Sequence, residues 1–322
     1  ITDYNGCVTT IDANIQQPAI LFGSSIQDSV SCNGYSDGAG EVLASGGTSP
    51  YTYLWDNGQT GSVVQNVIAG TYTCTIIDNN NCVTTQSLTV LEPNVLDVSL
   101  SDIDISCNGL SDGSAAASVV GGTPVYTYVW SNGSANNSTV SGLGLGSYDC
   151  IVIDANGCSD TSNTVVITEP SVLSSSISYV DSVSCTGLSD GSSVVQGVGG
   201  TISYTYLWDN GQSGSFLQNV ASGSYTCTIT DNNGCVTTQL VSVYEPTVLG
   251  SQIVYIDSVD CNGNSDGSAE VVGLGSTPLY TYAWSNGQSG STLQNVSAGN
   301  YTCTITDYNG CVTTIDANIQ QP

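Results

Sequence analysis

Cationic side chains are missing from this sequence. Its 322 residues include no lysine, no arginine and no histidine, against 27 aspartate and glutamate residues, so the formal net charge at pH 7 is −27. Without cations the chain cannot neutralise phosphates, which argues against binding to nucleic acid or to anionic membranes. It also lacks the usual general bases near neutral pH and the arginine that would stabilise a developing negative charge. These absences predict a protein that is not an enzyme.

Long apolar runs and helix-forming stretches are missing too. No run of 18 apolar residues is present, which predicts no membrane insertion, and no basic start indicates a signal peptide, so we expect the chain to be an excerpt of a longer one. Hydrophobic residues make up 39% of the chain, which is too many for a disordered acidic tail. Glycine, threonine, valine, serine, tyrosine and asparagine dominate, a composition typical of strands and turns.

The sequence is a tandem repeat. A phrase that begins YTYLWDNGQ at Tyr51 returns at Tyr204 and, slightly changed, at Tyr280, with a more diverged copy at Tyr126. Each copy closes on a proline, which predicts four repeats at 19–93, 94–170, 171–246 and 247–322.

Residues 1–18 have the same letters as residues 305–322, and we interpret them as the final strands of a preceding repeat. Two explanations stay open. Either the chain is a part of a longer array, or its terminal strand pairs with another molecule, head to tail.

Each repeat is predicted to be a small antiparallel β-sandwich. The third repeat shows about seven short strands with turn signals every 8–12 residues. Trp208 on the third strand, and Tyr225 two residues before Cys227, favour an immunoglobulin-like sandwich. The tryptophans are therefore predicted core residues: Trp55, Trp130, Trp208 and Trp284. Because proline stiffens the junctions, we expect the tandem array to form an extended rod.

Three motifs recur through these repeats: CNG-x-SDG, Tyr-x-Trp-[Ser/Asp]-Asn-Gly and Asp-x-Asn-Gly-Cys. This pattern resembles the SprB-type repeat of giant cell-surface (gliding) adhesins of Bacteroidota that the type IX system exports. The resemblance covers all four repeats and residues 1–18, with small departures such as Asn81 for glycine and Gln321 for glutamate. It implies an extracellular stalk at the cell surface. It also implies partners among further repeats or copies of the chain, and surface polysaccharide or substratum.

The 13 cysteines number three per repeat plus Cys7. Such regular spacing in a surface protein predicts disulfides; a metal site is a weaker hypothesis, because no CxxC pair and no histidine is present. The resembled family commonly carries the first and third cysteines. The resemblance therefore favours the pairs Cys32–Cys82, Cys107–Cys158, Cys185–Cys235 and Cys261–Cys311, and it leaves unassigned Cys7, Cys74, Cys150, Cys227 and Cys303. Two alternatives stay open: pairs such as Cys32–Cys74, as in antibody domains, or spare thiols that link neighbouring repeats or chains.

Two further sets of residues are candidate sites. The aspartates of the SDG turn could bind Ca²⁺ or could cap the turn through the backbone: Asp37, Asp112, Asp190 and Asp266. No other cofactor is predicted. Three Asp-Ser-Val triplets resemble the O-glycosylation motif of Bacteroidota, which marks Ser29, Ser182 and Ser258 as candidates.

Three functions fit this sequence. The first is a structural, non-catalytic stalk of an adhesin, used in attachment or gliding. The second is a filament or sheath subunit that assembles through lateral or head-to-tail contacts. The third is a glycan-binding module that uses the paired tyrosines of each repeat, such as Tyr51 and Tyr53.

Overall fold

The computed structural model describes residues 1–134 and 136–322, and within them every helix or strand element is a β-strand. The first repeat holds β1 (Phe22–Asp28), β2 (Gly38–Ser45), β3 (Thr52–Trp55), β4 (Val63–Val67), β5 (Gly70–Ile77) and β6 (Val83–Val90). The second holds β7 (Asp97–Ile103), β8 (Gly113–Val120), β9 (Thr127–Trp130), β10 (Thr139–Leu143), β11 (Gly146–Tyr148), β12 (Cys150–Ile153), β13 (Ser159–Thr161) and β14 (Val165–Ile167).

The last two repeats copy the first. The third holds β15 (Ser174–Asp181), β16 (Gly191–Val198), β17 (Thr205–Trp208), β18 (Phe216–Val220), β19 (Gly223–Thr230) and β20 (Val236–Val243). The fourth holds β21 (Gly250–Asp257), β22 (Gly267–Leu274), β23 (Thr281–Trp284), β24 (Thr292–Val296), β25 (Gly299–Thr306) and β26 (Val312–Ile319). The third repeat thus has six strands, not about seven. The segment around Cys185 is a turn, in which the Leu188 amide donates to the Cys185 carbonyl at 3.1 Å.

The first, third and fourth repeats each fold as two small antiparallel sheets around one core. In the first repeat the sheets have the strand orders β1-β2-β4 and β3-β5-β6, and the third and fourth repeats have the same arrangement. In the second repeat the last two strands are interrupted, which leaves the sheets β10-β8-β7, β13-β12-β9 and β11-β14. Four clusters of buried hydrophobic residues are present, and each cluster lies within one of the four predicted repeats.

Alternation along the strands builds these cores. Successive strand side chains point to opposite faces, so one face of β5 buries Cys74 and Ile76 while the facing sheet contributes Val42. The tryptophans of β3, β9, β17 and β23 are between 1% and 3% exposed. The Trp208 indole N–H donates to the Gly214 carbonyl at 3.1 Å, which satisfies its polar atom inside the core.

A tyrosine corner supports the immunoglobulin-like description of each sandwich. The Tyr225 hydroxyl donates to the Ala221 carbonyl, four residues upstream, at 3.0 Å. The same bond is made by Tyr72, Tyr148 and Tyr301, at 3.0 to 3.1 Å. Each repeat therefore combines a buried tryptophan on its third strand with a corner tyrosine beside a buried cysteine.

Residues 1–18 show which parts of the repeat form locally. The Asp3 carboxylate accepts from the amides of Asn5 and Cys7, at 3.0 and 2.8 Å, so the aspartate turn is present here. Residues 8–15 do not form the strand that the same letters form in β26, and Ile15 is 91% exposed where Ile319 is 2% exposed. Residues 1–18 lack a neighbouring copy of β25, so the turn needs only its own residues but the strand needs a partner.

Contacts between Cα atoms divide the chain into two compact units. One comprises Ile1–Ile105 and Ser111–Thr168, and the other comprises Ser106–Leu110 and Glu169–Pro322.

Candidate functional site: the disulfide-linked junctions

Three disulfides join successive repeats. They link the first cysteine of one repeat to the third cysteine of the next: Cys32–Cys158, Cys107–Cys235 and Cys185–Cys311. The Cα atoms of each pair are 5.6 to 5.7 Å apart, and the bonds span 126 or 128 residues. Every bond lies within one of the two compact units. In the chain-entropy description, closing a loop of this size stabilises the folded state by about 5 kcal/mol.

The favoured pairs within a repeat, Cys32–Cys82, Cys107–Cys158, Cys185–Cys235 and Cys261–Cys311, are wrong. Cys32 follows β1 at the end of the repeat where β6 finishes, since the Val30 amide donates to the Leu91 carbonyl at 2.9 Å. Cys82 precedes β6, and the eight residues of that strand span about 26 Å. A disulfide needs Cα atoms within about 7 Å, so the two cysteines of one repeat cannot meet. The alternative pair Cys32–Cys74 is also absent, because Cys74 carries a free thiol.

An aspartate organises the turn that carries the third cysteine. In the second repeat the Asp154 Oδ1 atom accepts from the amides of Asn156 and Cys158, both at 2.9 Å, and Oδ2 accepts from the Thr123 amide at 2.8 Å. The same three bonds surround Asp78 and Asp231, and Asp307 also holds the Cys311 amide at 2.8 Å. These bonds fix the backbone on which the cysteine is presented.

Three of these aspartates, Asp78, Asp231 and Asp307, have a pKa below the usual value. Burial by itself raises the pKa of such a carboxyl, but the backbone N–H groups that donate to Asp78 and Asp231 outweigh it and lower the pKa of both below the usual value. The pKa of Asp307 is lowered in the same way, with the Ser276 hydroxyl as an additional donor. The negative charge is therefore part of the turn at neutral pH.

The turn that carries the first cysteine is fastened to the closing Glu-Pro of its own repeat. The Asn33 amide group donates to the Pro93 carbonyl at 3.0 Å, and the Gly34 amide donates to Glu92 Oε2 at 3.0 Å. Equivalent bonds join Asn108 to Pro170, Gly109 to Glu169, Thr186 to Pro246 and Gly187 to Glu245. The end of each of these repeats and its first cysteine therefore form one structural piece.

An asparagine crosses each junction beside the disulfide. The Asn156 Nδ2 atom donates to the Ser31 carbonyl at 2.9 Å, next to Cys32. Asn233 donates to Ser106 at 3.0 Å, and Asn309 donates to Ser184 at 3.1 Å. We did not predict this role from the sequence. The available signal was the asparagine that stands two residues before the third cysteine in every repeat.

The second cysteine of each repeat is a buried, unreactive thiol. Cys74, Cys150, Cys227 and Cys303 are fully buried free thiols, and burial raises the pKa of each. A protonated thiol inside a core is a poor nucleophile, so these residues act as small apolar side chains. Cys7, Cys82 and Cys261 are also free, but they are exposed.

Three of the candidate Ca²⁺ aspartates, Asp37, Asp190 and Asp266, accept hydrogen bonds within the first-cysteine turn. The Asp37 carboxylate accepts from the Ser31 hydroxyl and from the Ser31 amide, and these bonds lower its pKa. Ser184 does the same for Asp190, and Asp266 accepts from the Asp260 amide at 3.2 Å. Across residues 1–134 and 136–322, no three acidic, cysteine or histidine side chains are grouped to hold a metal ion.

The three candidate glycosylation serines lie on the surface. Ser29, Ser182 and Ser258 are exposed, and each precedes a valine that is 2% or 3% exposed: Val30, Val183 and Val259. The buried valine anchors the segment while the serine hydroxyl faces solvent.

The paired tyrosines of each repeat face the protein interior. Tyr51 and Tyr53 are partly buried and pack against the core of the first repeat, and the Tyr51 hydroxyl donates to the Gly46 carbonyl at 2.6 Å. The equivalent tyrosines of the other repeats pack against their own cores. Their contacts are those of core residues.

The family comparison finds the same repeat four times. The SprB repeat family matches residues 24–60, 103–135, 178–213 and 255–289. The chain contains four SprB repeats. Each match runs from the first strand of a repeat to the hairpin that follows its tryptophan, and so includes the first cysteine of the junction. A search of curated proteins gave no match to the sequence.

Among solved structures, similar chains include tandem-domain surface proteins. Three N-terminal domains of the Hoc capsid protein of bacteriophage RB49 align with 13% identity and a TM-score of 0.37, over 71% of this chain and all of that one. A tetra-tandem repeat from the extending region of a large adhesion protein gives 14% identity and 0.27, over 94% of this chain and all of that one. Eight immunoglobulin domains of the Down syndrome cell adhesion molecule give 12% and 0.30, over 95% of this chain and 60% of that one. These TM-scores are low, and the fold assignment rests on the strand pairing and the buried tryptophans.

The structure contains no helix, among the residues it describes, with the length and apolarity needed to cross a membrane.

Proposed function

We propose that this SprB repeat array is a structural stalk of an extracellular adhesin, in which disulfides fasten each repeat to the next. The observation that carries the proposal is the pairing of first and third cysteines across all three junctions between the four repeats. A disulfide placed between repeats adds nothing to a catalytic site. It makes successive repeats behave as one covalent body under load.

Cysteine chemistry supports a location outside the cell. Disulfides persist in oxidising compartments and are rare in the cytosol. The net charge of −27 keeps neighbouring molecules apart in solution. The absence of lysine and arginine removes every cleavage site for trypsin-like proteases, which suits an exposed structure.

Gliding, attachment and export by the type IX system are part of this proposal, as are the four repeat boundaries, the extended rod and the sugars on Ser29, Ser182 and Ser258. The pair-distance distribution from small-angle X-ray scattering of the oxidised protein tests the rod. Intact mass of the protein from its native source tests the sugars.

A competition experiment separates a stalk from a binding module. Cells that carry the adhesin are allowed to attach to their substratum in the presence of the purified 322-residue array. A stalk leaves attachment unchanged, because the binding group lies elsewhere in the adhesin. If the array inhibits attachment, the repeats themselves bind, and a Tyr51→Ala variant then tests whether the tyrosines contact the ligand.

A filament or sheath is the second candidate. It is favoured by the identity of residues 1–18 with residues 305–322. The first segment carries every side chain that the end of the fourth repeat uses, so it has the sequence needed to pair head to tail with another molecule. Analytical ultracentrifugation of the oxidised array at increasing concentration tests it, since a filament subunit associates and a single stalk stays monomeric.

A further inference from the structure

A glutamine closes one strand edge in the first, third and fourth repeats. In the first repeat the Gln59 side chain bonds the backbone of Gln65 on the outer edge of β4: its Nε2 atom donates to the Gln65 carbonyl at 3.0 Å, and its Oε1 atom accepts from the Gln65 amide at 3.1 Å. The same pair of bonds, at 2.9 to 3.1 Å, joins Gln212 to Gln218 on β18 and Gln288 to Gln294 on β24. Because an unpaired strand edge is a template for a further strand, each glutamine occupies the place where such a strand would pair.

The second repeat has no such glutamine. Its hairpin after Trp130 has Ser134 at the position of Gln59. A hydroxyl offers one oxygen, whereas the amide of glutamine offers a donor and an acceptor side by side. The amide that this hairpin does contain serves the other sheet, since the Asn136 Oδ1 atom accepts from the Tyr128 amide at 2.6 Å.

Ser141 of β10 takes the position of Gln65 on the edge strand. Each of the two is followed by a residue of positive φ, Gly142 at 72° and Asn66 at 54°. β10 and β4 also have the same place in their sheets, in the strand orders β10-β8-β7 and β1-β2-β4. The backbone of the two edge strands is therefore equivalent at this position.

The outward backbone groups of β10 belong to Thr139 and Ser141. The Ala117 amide donates to the Ser138 carbonyl at 2.7 Å, so Ser138 faces β8, and alternate residues of an antiparallel edge strand face away from the sheet. Both Thr139 and Ser141 are exposed, and in the part of the chain that the structure describes no side chain bonds to their N–H and C=O groups. This edge therefore presents two donors and two acceptors to a further strand.

A hollow of about 260 Å³ lies beside this edge, on the outer face of the same sheet. The row of paired residues that crosses the face here has small side chains: Thr139, Ala116 and Ser101. The equivalent row of the third repeat has larger ones: Phe216, Val194 and Tyr179. Since the side chains of an added strand would alternate between the two faces, the hollow has room for a large apolar side chain of that strand.

We propose that β10 is a docking site for an extended peptide segment of a partner protein, which adds a strand to this sheet and places one large apolar side chain over the hollow. Backbone pairing supplies the affinity, and the hollow supplies the specificity. The segment is neutral or basic, because Asp102 lines the hollow and the chain has a net charge of −27 with no cation to attract an acidic partner. The proposal goes beyond the stalk function and does not depend on it.

Fluorescence anisotropy with labelled peptides tests the site on the oxidised full chain. The probe is the peptide KTVTFTVK with blocked termini, which is basic, alternates in polarity and carries one phenylalanine; ETVTFTVE is its acidic counterpart. We expect one saturable site for the basic peptide and about tenfold weaker binding of the acidic one at low salt. An absence of saturable binding up to about 1 mM of the basic peptide overturns the proposal.

A proline on the edge strand tests whether the backbone of β10 is the binding group. Ser141→Pro removes an N–H that faces away from the sheet, so it leaves the pairing with β8 intact and should weaken binding of the basic peptide about tenfold. Gln218→Pro is the matched control, since it changes the equivalent position of an edge that Gln212 already closes, and it should leave binding unchanged. Thermal denaturation checks that both variants are folded. Undiminished binding to a folded Ser141→Pro variant overturns the proposal.

Filling the hollow gives a second test that does not alter the strand edge. Ser101→Tyr introduces the residue that the third repeat carries as Tyr179. It should weaken binding of KTVTFTVK about tenfold and leave binding of KTVTATVK unchanged, because alanine does not need the hollow. Equal effects on the two peptides overturn the role of the hollow.

Sedimentation of the array without peptide separates a partner protein from a second copy of the chain. We expect the array to stay monomeric. Self-association that Ser141→Pro abolishes would assign the edge to a second copy and would overturn the peptide partner. None of these measurements involves attachment of cells, so their failure leaves the stalk function standing, and a failed stalk leaves the peptide result standing.

Discussion

The disulfide pattern predicts how far the array can be stretched. Under a force applied to the two ends, tension follows the shortest covalent path. From Cys32 this path crosses to Cys158, runs along the chain to Cys185 and crosses to Cys311. It contains 27 residue steps (185 minus 158) in place of the 279 steps (311 minus 32) of the reduced chain. At about 3.6 Å per residue, the disulfides shorten the maximum extension of the array by about 900 Å relative to the reduced chain.

Replacing one cysteine makes this prediction specific to the pairing. In a Cys32→Ser variant, the shortest path must run to Cys107, cross to Cys235, return to Cys185 and cross to Cys311. The maximum extension then increases by about 98 residues, or about 350 Å. Cys82→Ser is the matched control, and it should leave the extension unchanged because Cys82 carries no disulfide.

Single-molecule force spectroscopy on the oxidised protein, held at its two termini, measures these contour lengths. Pairing within repeats makes a different prediction, since Cys32→Ser and Cys82→Ser would each release about 50 residues, or about 180 Å. Equal increments for the two variants would refute the account of the junctions.

Other predictions concern the fold of single repeats and are measured by chemical or thermal denaturation. Gly199→Ala should destabilise the third repeat more than Gly211→Ala. Both glycines have positive φ, but a Cβ at Gly199 would lie 2.1 Å from the Val172 carbonyl oxygen, whereas no atom lies within 4 Å of a Cβ at Gly211. Equal losses of stability would show that backbone strain alone determines the effect. Trp208→Ala should cost about 3–5 kcal/mol of unfolding free energy, because it empties a core position that is 1% exposed, and a cost below 1 kcal/mol would contradict the core assignment. Because the pKa of Asp231 is lowered, its turn stabilises the fold above the usual aspartate pKa, and this stabilisation is lost as the pH falls below about 4. In an Asp231→Asn variant, the free energy of unfolding should therefore decrease less steeply as the pH falls through that range. An unchanged slope of unfolding free energy against pH would contradict this.

Sequence periodicity revealed the parts of this fold that are decided within one repeat. The buried position of Trp208 follows from strand alternation, and the turn at Asp231 follows from the capping preference of aspartate. Both depend on residues a short distance apart, and both recur wherever the motif recurs.

The disulfide partners could not be predicted from the sequence of a single repeat. Cys158 is equally compatible in sequence with Cys107 of its own repeat and with Cys32 of the repeat before. The choice is made by the direction of the last strand, which places the two cysteines of one repeat at opposite ends. Residues 8–15 show the same dependence on surrounding structure. Their sequence is identical to that of β26, but only β26, which has a neighbouring strand, is formed and buried.

Peptide mapping of the oxidised, non-reduced protein tests the central claim most directly. Because trypsin has no site in this sequence, cleavage at aspartate and at aromatic residues is needed. The account predicts linked peptides that contain Cys32 with Cys158, Cys107 with Cys235 and Cys185 with Cys311. Linked peptides that join Cys32 to Cys82, or Cys185 to Cys235, would contradict it.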